Sequence, residues 1–212
     1  MTRLGAPELG RLHVLTDARA GRAPLAVVEA ALSAGAPAIQ VRTKGGTDRE
    51  LYDFASRVAE LCAQTGALCL VNDRADVALA VGAGGTHLGE HDLPVAAVRR
   101  LTGTRHHVGG TARDAGTGRA LVAAGASYLG VGPAYATTTK DGLPDALGAT
   151  GVGAVAQAVD VPVLAIGGVT AATVPELLAA GAYGVAVVAA VSDAADPARA
   201  TRELLSALDG TA

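Results

Sequence analysis

Arg42 and Lys44 stand two residues apart in QVRTK, directly after the apolar run APAI. On an extended chain that spacing turns both side chains to one side. Two converging cations suit a phosphate or diphosphate, Arg through its planar fork and Lys as a point charge; a solvated basic turn is the competing use of the same pair. Asn72 and Asp73 follow ALCLV, and Asp92 follows the next apolar run in GTHLGEHDLP. Two carboxylates on neighbouring strand ends can hold Mg²⁺, which takes one or two such ligands and the rest from water and substrate phosphate. Each Asp can equally cap a helix, since ND precedes RADVALAV and HD precedes LPVAAVRRL.

The stretch GPAYATTTKDG is the most polar and glycine-rich of the connections and longer than connection requires. Thr137, Thr138 and Thr139 bring hydroxyl donors and Lys140 a charge, a composition able to grip phosphate groups or, alternatively, to form a plain surface loop. Further on, IGGV contains Gly168, and GVAVVAAV contains Val188 and Ala189. Glycine there lets backbone N–H groups approach an anion, and it also suits a tight left-handed turn. Of the five histidines (His13, His87, His91, His106, His107), the adjacent pair would point to opposite faces of a strand and makes a poor metal site. All five read as structural or surface residues, with His87 the one expected to face a site.

These groups share one placement: each follows a short apolar run. The runs LHVLT (12–16), AIQV (38–41), ALCLV (67–71), THLG (86–89), HHVG (106–109), SYLGV (127–131), VPVLAI (161–166) and YGVAVV (183–188) are candidate strands. Between them lie helical patterns such as ELYDFASRVAELCAQTG, with Gly as the stop. Strict alternation implies parallel strands with right-handed crossovers, and eight units close into a (β/α)8 TIM barrel as a single domain over 1–212. A doubly wound open sheet is the alternative, but TDARAGRA lacks a GxGxxG fingerprint. The recurring A-G-A around Gly35, Gly125 and Gly181 predicts one helix-to-strand turn used repeatedly.

Composition narrows the partners. Net charge is −3 with dispersed Lys and Arg, and aromatic content is 2%, which leaves neither a basic stripe nor a stacking surface for nucleic acid. No apolar stretch is long enough for a membrane span, and MTRLGAPELGRL lacks a signal-peptide core, so a cytoplasmic location is expected. Cys62 and Cys69 have neither CxxC spacing nor a histidine pair nearby and read as free buried thiols.

Taken in order, LHVLTD, QVRTKG, VNDRADVALAVGAGGTHLGEHDLP, GPAYATTTKDG, IGGV and GVAVV resemble the thiamine-phosphate synthase family over nearly the whole chain. The resemblance implies a TIM barrel using Mg²⁺, with small-molecule substrates and room for a homo-oligomer. It implies diphosphate and pyrimidine contacts at Gln40, Arg42, Lys44, Asn72 and Lys140, a pyrimidine contact at Thr111, Mg²⁺ on Asp73 and Asp92, and thiazole-phosphate contacts at Thr137, Thr138, Thr139, Gly168, Val188 and Ala189. Arg42, Lys44 and Lys140 are then the groups that assist departure of diphosphate from the pyrimidine methylene before the thiazole nitrogen attacks. The chain departs from the family pattern at four positions: Thr111 for Ser, Arg113 for His, Ala136 for Pro and Ala189 for Ser. The thiazole tautomerase branch would rely on the His replaced by Arg113, and a non-catalytic precursor sensor would need a signalling surface that the sequence does not display.

Overall fold

Strictly alternating strands and helices require each strand to re-enter the sheet at the same edge, which makes every pairing parallel. The computed structural model describes residues 8–16, 23–43, 45–137, 142 and 144–210. Its strands are β1 (Leu12–Leu15), β2 (Ala38–Val41), β3 (Leu68–Asn72), β4 (Gly85–Leu88), β5 (His107–Ala112), β6 (Tyr128–Val131), β7 (Val163–Ile166) and β8 (Gly184–Val187). Each pairs in parallel with the next, and β8 pairs with β1, closing the barrel. The open-sheet alternative is therefore excluded. The helices are α1 (Pro24–Ser33), α2 (Asp48–Thr65), α3 (Ala75–Ala80), α4 (Val95–Thr102), α5 (Ala115–Ala123), α6 (Gly148–Ala156), α7 (Val174–Ala179), the four-residue α8 (Ala189–Ser192) and α9 (Pro197–Asp209). No described helix is long and apolar enough to cross a membrane.

Local chemistry explains the boundaries. In GTDRE, Thr47 and Glu50 form a reciprocal capping box that starts α2, and Gly66 at φ 74° ends it. Asp114 and Asp196 accept backbone N–H bonds from Thr117 and Arg199 and so start α5 and α9. The A-G-A turn recurs as the sequence predicts. Gly35, Gly125 and Gly181 have φ of 92°, 102° and 108°. In each case the N–H of the following alanine reaches back to a carbonyl in the last turn of the helix (Ala36 to Ala31, Ala126 to Leu121, Ala182 to Leu177, all 3.0 Å), the Schellman pattern. A fourth copy, Gly82 with Ala83 bonding Ala78, ends α3.

Strand parity sorts the core into two layers. Leu12, Val14, Ile39, Val41, Cys69, Val71, Val163 and Ala165 face outward into the large core beneath the helices. Leu9, Ala38, Leu68, Leu70, Tyr128 and Leu164 form a smaller cluster inside the barrel. Cys62 and Cys69 are free and buried, and the Cys69 thiol is pushed up by its hydrogen bond with Cys62 and by burial. β5 runs three residues beyond the predicted 109, because Thr111 and Ala112 still pair with Gly130 and Val131. β7 starts two residues later than predicted. Pro162, just before it, has no N–H to give and contributes only its carbonyl, to Leu129.

Candidate active site

At the carboxyl ends of the strands the barrel opens into a cavity of about 450 Å³. That face is where TIM barrels carry their sites, because side chains from many strand ends converge there. Gln40, Arg42, Asn72, Asp73, Asp92, Thr111, Thr137, Gly168, Val188 and Ala189 all line it. Lys44, Thr138, Thr139 and Lys140 lie outside the described residues.

On β2, Gln40 points inward by the same parity as Ala38, and Arg42 continues that row beyond the strand's end. Gln40 is 3% exposed, and its carboxamide has no hydrogen-bond partner among the described residues. Its polar atoms open onto the cavity, where a molecule bound there can bond them. The Arg42 guanidinium likewise meets no carboxylate among the described residues. Its backbone is fixed from β1: the Thr16 hydroxyl donates to the Arg42 carbonyl (2.9 Å) and accepts from its N–H (2.8 Å).

The carboxylates sit on the next two strand ends. Asp73 has φ 65°, the only described non-glycine residue in the left-handed region. The Arg74 N–H donates to the Asn72 carbonyl across it (2.7 Å), closing a three-residue turn. Asn72 Nδ2 donates to Asp73 Oδ1 at 2.6 Å. After β4, Asp92 Oδ2 accepts the Gly89 N–H, also at 2.6 Å. Neither Asp caps the helix that follows: Arg74 and Pro94 occupy the cap positions and no side chain caps either helix. Arg74 ties this end to the β2 side, donating to Asp76 on α3 and to Asp48 at the start of α2 (2.6 Å).

The floor is built from ring side chains. His13 on β1 and Tyr128 on β6 meet edge to face with centroids 5.6 Å apart, and His87 on β4 tilts against the other side of Tyr128 at 5.5 Å. The Tyr128 ring fits only because β5 carries Gly109 beside it; a Cβ there would fall inside the ring. His87 bonds the Tyr128 hydroxyl through Nδ1 (3.1 Å) and the Thr111 hydroxyl through Nε2 (3.0 Å). Burial lowers His87 to about 4, with the Asp92 carboxylate pulling weakly the other way, so the ring is neutral near pH 7. Burial also lowers His13 to about 4. His13 Nε2 donates to the Leu9 carbonyl at 2.8 Å, which leaves Nδ1 buried without a partner among the described residues.

The remaining wall comes from β6, β7 and β8. Gly167 (φ 93°) and Gly168 (φ 65°) make the left-handed turn that IGGV allows. A Cβ on either would press on the β6–α6 connection, 2.7 Å from Pro133 and 2.5 Å from the Ala136 carbonyl oxygen. The left-handed turn considered from sequence is formed, and the close approach these glycines allow here is to the protein's own backbone. Val188 and Ala189 lead into α8, the short extra helix ahead of α9. Arg113, which stands where the family pattern has His, bonds the backbone carbonyls of Gly132 and Asp145.

His87 reaches the cavity as expected; so do His13 and His91, read from sequence as structural or surface residues, and Tyr128 and Glu90, which the sequence pattern does not mark. His106 is buried against Thr86 at 2.8 Å, below the cavity, and is structural as expected.

A family model described as thiamine monophosphate synthase matches residues 12–191. A thiamine-phosphate synthase of Salinispora tropica is 62% identical over 94% of this chain and 98% of its own length. One of Chloroflexus aurantiacus is 43% identical over 92% and 90%. Among solved structures, thiamine phosphate pyrophosphorylase from Pyrococcus furiosus superposes with a TM-score of 0.87 at 33% identity, covering 95% of this chain and 96% of that one. A 3-hexulose-6-phosphate synthase, with a TM-score of 0.67 at 22% identity, shares the fold.

Proposed function

The chain belongs to the thiamine monophosphate synthase family and is an alkyl transferase of thiamine biosynthesis; from that premise we propose how its cavity joins an aminopyrimidine diphosphate to a thiazole phosphate. The supporting observation is the convergence of an arginine without a carboxylate partner among the described residues, two carboxylates and a nearly buried amide on one cavity. An anionic substrate supplies the partner that Arg42 lacks, and a substrate ring bearing a donor or acceptor supplies the one that Gln40 lacks.

Asp73 and Asp92 fit Mg²⁺. They are hard oxygen donors from adjacent strand ends, each steadied by one short hydrogen bond, and no described cluster of three or more His, Cys, Asp or Glu forms a closed protein cage. That donor set matches an ion completed by water and substrate phosphate. Held by these two carboxylates, Mg²⁺ would supply charge neutralisation for the diphosphate.

Arg42, Lys44 and Lys140 bind the diphosphate oxygens and stabilise the charge that grows on them as the methylene–oxygen bond breaks. Gln40, Asn72 and Thr111 orient the pyrimidine, and the neutral His87 holds the Thr111 hydroxyl in place without itself transferring a proton. Thr137, Thr138 and Thr139, with the backbone at Gly168, Val188 and Ala189, hold the thiazole phosphate so that its ring nitrogen faces the methylene. That nitrogen carries no proton, so attack needs no general base. The unit acts as one catalytic domain over residues 1–212, on small molecules only and in the cytoplasm, with either a monomer or a homo-oligomer compatible with this chemistry.

The test is thiamine phosphate formation from purified protein and the two substrates, with Mg²⁺ and again with EDTA. Product that disappears on chelation is the expected result. Undiminished product in EDTA would remove the metal assignment, and no product under either condition, with both substrates bound, would overturn the reading.

A further inference from the structure

Arg113 is the first residue beyond β5, and it reaches sideways across the barrel rim. Nη1 donates to the Gly132 carbonyl at 2.9 Å and Nη2 to the Asp145 carbonyl at 2.7 Å. Gly132 and Asp145 stand on the outgoing and returning limbs of the connection between β6 and α6. The geometry points to Arg113 as a positioning residue that holds the neck of this connection at the register from which it presents Thr137 to the cavity.

The two limbs differ in how they are fixed. Gly132 is buried, and its α-carbon packs so closely on the Ile166 carbonyl that no Cβ would fit. Ala134 and Tyr135, just beyond, bond the carbonyls of Ile166 and Gly167 (2.7 and 2.9 Å). The outgoing limb is thus part of the barrel wall. Asp145, by contrast, is exposed. Its limb is secured by the Arg113 bond, by the Leu147 N–H to the Pro133 carbonyl and by the Gly148 N–H to the Ala134 carbonyl, both 2.9 Å. Of these three, only the Arg113 bond carries a full charge, which makes it the strongest kind available to a carbonyl.

A planar guanidinium suits the task because its donors diverge in a fixed fork and can serve two carbonyls at once; an ammonium is a point donor on a flexible stem. Arg113 is not among the residues lining the cavity. Its influence on the reaction runs through the neck to Thr137, which does line it, and so rests on the assignment of Thr137 to the thiazole phosphate.

Arg113→Ala and Arg113→Lys separate this role from two others, one purely structural and one purely electrostatic. In both variants, amide hydrogen exchange at 134–137 and 145–148 is expected to accelerate by about 10-fold or more, with exchange in β1 to β4 unchanged, since one charge-assisted hydrogen bond is worth about that factor. KM for thiazole phosphate should rise on the order of 10-fold, while the Mg²⁺ concentration for half-maximal rate stays at the wild-type value, because Asp73 and Asp92 stand at the ends of β3 and β4, on the other side of β5 from the β6–α6 connection. Full recovery in Arg113→Lys would reduce the residue to a charge and overturn the proposal. So would exchange that quickens throughout the barrel, or quickened exchange at 134–137 and 145–148 with unaltered KM. Wild-type turnover, measured alongside, checks the proposed reaction separately.

Discussion

Asp73 answers two demands at once, a charge at the cavity and a backbone in the left-handed region (φ 65°) that most residues avoid. Asp and Asn tolerate that region better than other residues with a side chain. Asp73→Asn therefore keeps the turn and removes the charge, which makes it a cleaner test than Asp73→Ala. Turnover is expected to fall well over ~10-fold in Asp73→Asn and in Lys140→Ala, measured by steady-state kinetics, because each removes charge stabilisation developed as diphosphate leaves. Near-normal turnover in both would overturn their assignment. Asp92→Asn can still accept the Gly89 N–H through its amide oxygen and should chiefly raise the Mg²⁺ needed for half-maximal rate; an unchanged titration would remove Asp92 as a ligand. The floor histidines act on stability. His13 and His87 are held near 4 when folded against 6.5 as free side chains, both chiefly by burial. Above pH 6.5 neither state binds these protons. Between about 6.5 and 4 the unfolded chain takes them up and the folded chain does not, so stability declines through that window as pH falls, and this contribution levels off below it. A series of Tm values from pH 7 to 4 should show the decline, and a His13→Gln variant should show a shallower one.

At the scale of elements, β5 is the strand whose composition looks weakest and whose role is tightest. The run legible in the sequence is HHVG, which ends at the first of two consecutive glycines, Gly109 and Gly110. The strand continues because Thr111 and Ala112 pair with Gly130 and Val131 of β6, and Gly109 leaves the space into which Tyr128 fits, a fact about a neighbour 19 positions away. Gly109→Ala should cost roughly 1–3 kcal/mol, the usual penalty for overpacking a filled interior, and Tyr128→Leu in the same chain should return part of it. Chemical denaturation of the single and double variants measures both; an additive double variant would show that the two sites do not share that space. The helix ends were read with more success. Gly35, Gly125 and Gly181 announced their turn by type and neighbours alone, since a left-handed C′ position asks for glycine whatever lies around it. Gly82 makes the same turn within VGAGG, where the first residue is Val rather than Ala.

The whole molecule is a closed barrel whose site is distributed over strand ends far apart in sequence, so ligand binding should stabilise the fold as one unit. If Asp73 and Asp92 bind Mg²⁺ together with diphosphate, the Mg²⁺–diphosphate complex at 100 times its dissociation constant adds about 2.7 kcal/mol, or roughly 5–10 °C in Tm for a chain of this size. Thermal melts with Mg²⁺, with diphosphate and with both should show the large shift only for the pair. Shifts that merely sum would separate the two binding sites. Alternating apolar runs and helical patterns by themselves determined the eight parallel units, and the polar residue after each run determined which face carries the chemistry, because both follow from local periodicity and right-handed crossover. Only the tertiary structure decided that Asp73 and Asp92 face the cavity instead of capping helices, that His13 and Tyr128 pave its floor, and that Arg113 spans the neck of the β6–α6 connection. Each of those depends on strand register and barrel closure, which bring together residues that no window of sequence contains.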